Sequence, residues 1–375
     1  MPVLEEWALL PSVWLEELFA LLALPGAINA HPFLATMARS ISDAARISNT
    51  VEPIIVASGK NPTLVPFICQ ISDKLDEETL TIARRSCCVH VAEIMHVVRH
   101  TQNPNAFVVN LIGDVRAMWL NPKYQLVEVW KREPSHPKKL VEVALSHVET
   151  CEEYAMQLAP FLNVEQLDAL VTHLFNHSTE DNLKRVLDLL MEVPPTFRRD
   201  QKELNFALPQ HFMYMCYSIK PFKELLKRQT GLLDHCVNCC VTGHMSVESA
   251  LSACTLIVEN TEDVSFVFGR VLCQLVQKVP QSRSVVVQAI LPALFKRYAW
   301  EDKMLWRGVV ICMTTLWPGH KEQLCRLLML MPQEYGEPTI KTLQTQHNII
   351  AFMESTLPQL DHTVHIPAYI KTMLS

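Results

Sequence analysis

Between Val264 and Val279 the apolar residues stand at Val264, Val267, Phe268, Val271, Leu272, Leu275, Val276 and Val279. Steps of three and four residues place all of them on one side of an α-helix, and no strand tolerates that spacing. This periodicity recurs along most of the chain. It limits the fold to packed amphipathic helices. The scarcity of glycine points the same way, with nine glycines in 375 residues. Nucleotide-binding loops and β-rich folds depend on glycine for positive-φ turns and close backbone approach to phosphate. Neither G-x-G-x-x-G nor G-x4-G-K-[ST] occurs. The 23 prolines sit mostly at the edges of helical patterns, as at Pro62, Pro104, Pro137 and Pro221, where proline suits a first helical position.

Around this segment the pattern repeats. Ser246 is placed to cap a helix whose inward residues are Val247, Leu251, Cys254 and Val258, and Glu248 suits its positive first turn. Ser282 is placed to cap a third helix that runs to about Trp300, with a kink expected at Pro292. A fourth aligns Leu305, Cys312 and Leu316, and a fifth Leu324, Leu328 and Met331. Helix starts near 246, 282 and 320 define a repeat of ~35 to 40 residues, the scale of HEAT-type helical hairpins. Three earlier stretches, 76–100, 138–158 and 178–193, are amphipathic helices by the same test. Breaks rich in proline fall at "KREPSHPKK" and "VPPTFRRDQK", the second combining a Pro-Pro pair with a charge run. The expected fold is an all-α, HEAT-like helical-hairpin solenoid of about eighteen helices. Two arms, 1–197 and 198–375, are expected on either side of the second break.

A net charge of -6 gives no general attraction for a polyanion. Three short basic runs, "FRRDQK", "IKPFKELLKR" and "LFKRYAW", read as solvated helix faces rather than phosphate contacts. The amino terminus "MPVLEEWALL" carries two glutamates where a secretory signal needs basic residues, and the apolar stretch 18–38 is broken by Pro25, Gly26 and Pro32. Core is the expectation there, and no membrane partner is expected. Twelve cysteines without a secretory signal are expected to remain thiols in a reducing compartment.

The cysteine-rich stretch "DHCVNCCVTGHMSVES" raises the question of zinc. Cys236, Cys239 and His244 have the C-x2-C-x4-H spacing of a zinc knuckle, a module that binds single-stranded RNA. The fourth ligand position is Ser249, a poor donor, and Cys254 comes five residues too late. Leu232, Leu233, Cys236, Val237, Cys240 and Val241 form an apolar helical face by themselves, with Gly243 ending the helix. Cys236, Cys239 and His244 are therefore rejected as a metal site. Cys87 and Cys88, with His90 and His96 nearby, are a weaker candidate on a helix that already has a core face. Neither G-x-S-x-G nor H-E-x-x-H occurs. Catalytic residues, a cofactor and a small-molecule substrate are not expected, and RNA is expected only as an indirect partner.

The stretch from "NTEDVSFVFGR" to "MTTLWPG" resembles the carboxyl-terminal region of the symplekin family. The likeness rests on a helix ending in "QLV", a proline turn, a helix closing on "FKR", and the W-x5-W-x-G array of Trp300, Trp306 and Gly308. "RLLMLMP" and "HIPAYIKTML" look like later segments of that family. This likeness covers about 246–375 and reaches back towards 208–228; residues 1–200 show none. Symplekin-like proteins are non-catalytic nuclear scaffolds of pre-mRNA 3′-end cleavage and polyadenylation. The resemblance implies docking of the cleavage endonuclease and its inactive homologue; Trp300, Lys303, Trp306 and Arg307, gathered around one helix start, are the expected binding residues, with core the favoured place for the two tryptophans. A cytosolic helical adaptor of the transport-receptor or coat type shares the solenoid pattern, and a zinc-knuckle RNA binder is the third reading.

Overall fold

The computed structural model describes residues 65–72, 75–100, 105–121, 123, 135–194, 204–220, 225–356 and 366–374. The apolar stretch 18–38 and most of the Pro-Pro break at 193–202 lie outside these residues. The chain divides into two compact units, Met1–Leu174 with Asp188–Ala207 and Phe175–Leu187 with Leu208–Ser375. Among the described residues, no helix is long and apolar enough to cross a membrane.

The first unit holds α1 (Val65–Ile71), α2 (Glu77–Cys87), α3 (Val91–His100), α4 (Ala106–Leu120), α5 (Ser135–Ser146) and α6 (Glu152–Gln157). α7 (Val164–His177) follows, and the division between the units falls within it and within α8 (Glu180–Met191). Alternate helices stack: α1 meets α3 and α3 meets α5, while α2 meets α4 and α4 meets α6. That pairing builds two layers from successive hairpins, the HEAT-like arrangement. Polar side chains start several of these helices. Asp76 accepts from the Thr79 amide at 2.8 Å, and Asn105 accepts from the Phe107 amide at 2.8 Å. The core is fixed by aromatic edges, with Trp119 5.1 Å from Phe161 and Phe161 5.9 Å from Phe206.

The second unit continues with α9 (Pro209–Ser218), α10 (Leu226–Val241), α11 (Val247–Asn260) and α12 (Phe266–Lys278). Next come α13 (Arg283–Val285), a π turn at Val286–Ile290 and α14 (Leu291–Lys296). α15 (Lys303–Leu316), α16 (Lys321–Leu328), α17 (Gln333–Gln344), α18 (Ile349–Thr356) and α19 (Ala368–Leu374) complete it. One layer runs α10, α12, α15, α17, and the other runs α9, α11, the π turn and α16. The chain is an all-α, HEAT-like solenoid of helical hairpins.

Helices begin at Val247, Arg283 and Lys321, one residue after the starts expected at 246, 282 and 320. Ser246 caps α11, its hydroxyl accepting from the Ser249 amide at 3.1 Å. Ser282 behaves differently from its expected capping role. Its buried hydroxyl points back and donates to Val279 O at 2.7 Å and Leu275 O at 3.3 Å, closing the end of α12. Just before Pro292, where the sequence predicts a kink, the helix widens into the π turn at Val286–Ile290. A proline removes one amide donor, and the wider π ladder absorbs that gap. The segment 366–374 docks through Tyr369, whose hydroxyl donates to Leu328 O at 3.2 Å. It fills the space beside Gly336, where a Cβ would lie 2.1 Å from the Tyr369 oxygen.

Candidate protein-binding site

The stretch "LFKRYAWEDK" turns the chain from α14 into α15. α14 ends at Lys296, and Tyr298 then adopts φ 55° and ψ 40°. This left-handed position after a helix normally takes glycine, and a bulky side chain there is strained by ~1 to 2 kcal/mol. The ring compensates by packing edge-on against Trp300, with centroids 5.5 Å apart, while staying 60% exposed. Asp302 then opens α15, accepting from the amides of Met304 at 2.8 Å and Leu305 at 3.1 Å. The preceding arginine is equally committed. The Arg297 guanidinium donates to Val258 O, Thr261 O and Glu262 O, satisfying the carbonyl end of α11. In "LFKRYAW", then, one cation serves the fold. Arg228 of "IKPFKELLKR" likewise donates to Phe175 O at 2.5 Å.

Behind the turn lies an aromatic cluster. Phe295 packs 5.6 Å from Trp300 and 5.4 Å from Trp306, and the two indoles are 6.1 Å apart and nearly perpendicular. Tyr335 of α17 adds a ring 6.4 Å from Trp300. Trp306 is 9% exposed, and its Nε1 donates to Thr339 Oγ1 at 3.0 Å. That hydroxyl donates onward to Tyr335 O at 2.7 Å. A buried indole N–H needs such a partner, and this chain fixes the ring between α15 and α17. The glycine of W-x5-W-x-G has its own reason. A Cβ on Gly308 would stand 2.8 Å from the Cα of Gly269, and one on Gly269 would stand 2.9 Å from Leu305 O. Backbones of α12 and α15 touch at this crossing, and only glycine fits. The sequence singled out Gly308 but not its partner Gly269, which lies 39 positions earlier in "FVFGR".

Of the four residues expected to bind a partner, the structure turns two inward and two outward. Trp300 and Trp306 are buried in the cluster, whereas Lys303 and Arg307 are exposed on α15. Met304, 60% exposed, and the exposed Ile311 were not singled out from the sequence. At 100° per residue, Lys303, Met304, Arg307 and Ile311 share an arc of about 100°. The result is a stripe of two cations and two aliphatic side chains. Alternating exposed apolar positions would have revealed it, but the stretch read as a single buried face. Lys303 opens the helix, where the macrodipole disfavours a cation, so an acidic group placed over this end would be favoured.

The cysteine stretch has a different character. Cys236 and Cys239 are buried on α10, with Cys216 and Cys254 also in the core, and all twelve cysteines are free thiols. His244 lies past the helix end, exposed, with Nδ1 2.8 Å from Thr242 Oγ1. Burial pushes the Cys236 thiol well above its ordinary range, reinforced by Cys216, Cys239 and Cys240, and raises Cys240 and Cys254 to about 12. In these surroundings the thiols stay protonated and pack as small apolar groups. Gly243 ends the helix at φ 78°, as the sequence indicated. Val241 does not join the apolar face expected of it. At the last turn of α10 it points to solvent, 52% exposed. Of the second pair, Cys87 is buried, and Cys88 donates to Arg85 O at 3.3 Å.

No curated protein and no solved structure matches the chain significantly. The family model described as "Symplekin tight junction protein C terminal" matches residues 153–343. It begins well before 246, including residues below 200 where the sequence showed no likeness, and it ends before "HIPAYIKTML". It takes in the aromatic cluster, the Gly269–Gly308 crossing and the exposed stripe of α15. With just over half of the 375 residues matched, this chain belongs to the symplekin family.

Proposed function

We propose that this chain is a non-catalytic nuclear scaffold of pre-mRNA 3′-end processing, docking the cleavage endonuclease and its inactive homologue while chemistry stays with those partners. Family membership supports the role in 3′-end processing. The observation that carries the docking reading is the stripe of Lys303, Met304, Arg307 and Ile311, exposed on a helix that its aromatic cluster holds in place. Exposed aliphatic residues flanked by cations suit a partner surface that is partly apolar and partly acidic. Trp300 and Trp306 support this surface from within rather than touching the partner. Hydrogen bonds such as Trp306 to Thr339 keep the helix preorganised, so little freedom is lost on binding.

Tagged chain isolated from cells tests the reading by what accompanies it. Lys303→Glu combined with Arg307→Glu is expected to leave the circular dichroism spectrum and melting temperature unchanged, since exposed charges contribute little to stability. The same variant is expected to lose both nuclease subunits. A folded, charge-reversed protein that still retains them would place the docking surface elsewhere.

A further inference from the structure

We propose that a groove between α5 and α7, in the first unit, docks a basic amphipathic peptide segment of a partner protein. The groove has a volume of about 450 Å³. Its apolar lining is Leu145, Val148, Ala169 and Leu170, and the carboxylates of Glu149 and Glu165 stand at its rim. Both glutamates are exposed, as are Glu142 on α5 and Asp168 on α7. The surrounding chain is one-sided in charge. Residues 140–174, within the first unit, contain six carboxylates and not one lysine or arginine, while Lys138 and Lys139 lie exposed earlier on α5.

Both walls are held rigidly. At the mouth of α5, His147 Nε2 lies 2.9 Å from Val98 O, and Ser146 Oγ donates to Val143 O at 2.8 Å. At the start of α7, Asn163 Oδ1 accepts from the Gln166 amide at 2.8 Å, and Gln166 Oε1 accepts from the Asn163 amide at 3.0 Å. This reciprocal cap fixes the Gln166 side chain along the wall. An open apolar floor between fixed walls suits aliphatic side chains from a helix laid into it. Glu149 and Glu165 at the groove, with the exposed Glu142 on α5 and Asp168 on α7, choose the occupant's charge. They repel RNA and acidic peptides and favour lysine or arginine flanking the inserted aliphatic residues. This surface is independent of the α15 stripe, whose cations favour the opposite kind of partner.

The test uses the purified full chain and a fluorescent peptide of about 14 residues with lysine and leucine in helical repeat, followed by anisotropy. Saturable binding is expected. Glu149→Lys with Glu165→Lys is expected to weaken it at least about ten-fold. Ala169→Trp, at an exposed position, fills the groove without altering its charge and is expected to weaken binding with the fold intact by circular dichroism. The same change of charge at Glu259→Lys with Glu322→Lys, both exposed in the second unit, is expected to leave affinity within about two-fold. Equal losses in the two charge variants would reduce the effect to general attraction and overturn the groove. Full binding by the Ala169→Trp protein, or equal binding of a glutamate–leucine peptide, would overturn it as well.

Discussion

Two helix-to-helix turns stand out in the sequence, and they end differently in the structure. The turn after α10 passes through Gly243 at φ 78°, with open space where a Cβ would be, and Ser246 caps the next helix. The sulfurs near it face the core, while His244 stays exposed. The turn after α14 passes through Tyr298 at φ 55°, and Asp302 caps the next helix. Here a large ring occupies the position that glycine would fill without strain. The first turn only joins helices. The second spends conformational energy to hold an exposed ring against Trp300, one of the buried rings behind α15.

The largest expected effect separates the cores behind the two turns. Trp306→Ala empties the aromatic cluster and removes the indole donor to the Thr339 hydroxyl, so a loss of ~3 to 5 kcal/mol is expected by denaturant unfolding. Any loss of partners in that variant should track unfolding. A well-folded Trp306→Ala protein without partners would instead make the indole a direct contact.

Gly308→Ala comes next, because the added methyl meets the Gly269 backbone rather than a movable side chain. Helices α12 and α15 must separate, at ~1 to 3 kcal/mol. An unchanged melting temperature would show that the crossing can open to admit a Cβ that would otherwise stand 2.8 Å from the Gly269 Cα.

In the cysteine turn, Cys236→Ser places a hydroxyl in a fully buried apolar site and is expected to lower stability by ~1 to 3 kcal/mol. Elemental analysis of the unaltered protein is expected to find no stoichiometric zinc. About one zinc per chain, lost in Cys236→Ser, would turn this turn into a metal site and reverse the comparison.

The smallest effects test the left-handed positions directly. Gly243→Ala is expected to cost ~1 kcal/mol, since φ 78° suits glycine alone. Tyr298→Gly relieves similar strain but loses ring packing, leaving stability within ~1 kcal/mol of the original. If the α15 surface docks a partner, binding should nevertheless weaken. Unchanged retention of partners would make Tyr298 a local oddity and erase the difference between the turns.

Helical periodicity, scarce glycine, the Ser246 cap and the Gly243 stop were legible in the sequence because each is a short-range property. A helix face repeats within four residues, and a cap acts across three. The same reading fixed the hairpin repeat, because neighbouring helices must bury matching faces. What it could not determine lies in contacts between positions distant along the chain. Gly269 meets Gly308, Trp306 reaches Thr339, and Arg297 closes the end of α11. Ser282 shows the limit most plainly, since its cap-like position is local but its buried hydroxyl turns back to add a second hydrogen bond to the Leu275 and Val279 carbonyls at the end of α12. For the proposed docking stretch, packing decides which of its residues stay exposed, because each tryptophan buries more apolar area than Lys303 or Arg307 and is drawn inside. Periodicity records which side of a helix is apolar, whereas only the folded chain decides which apolar and charged groups are left for a partner.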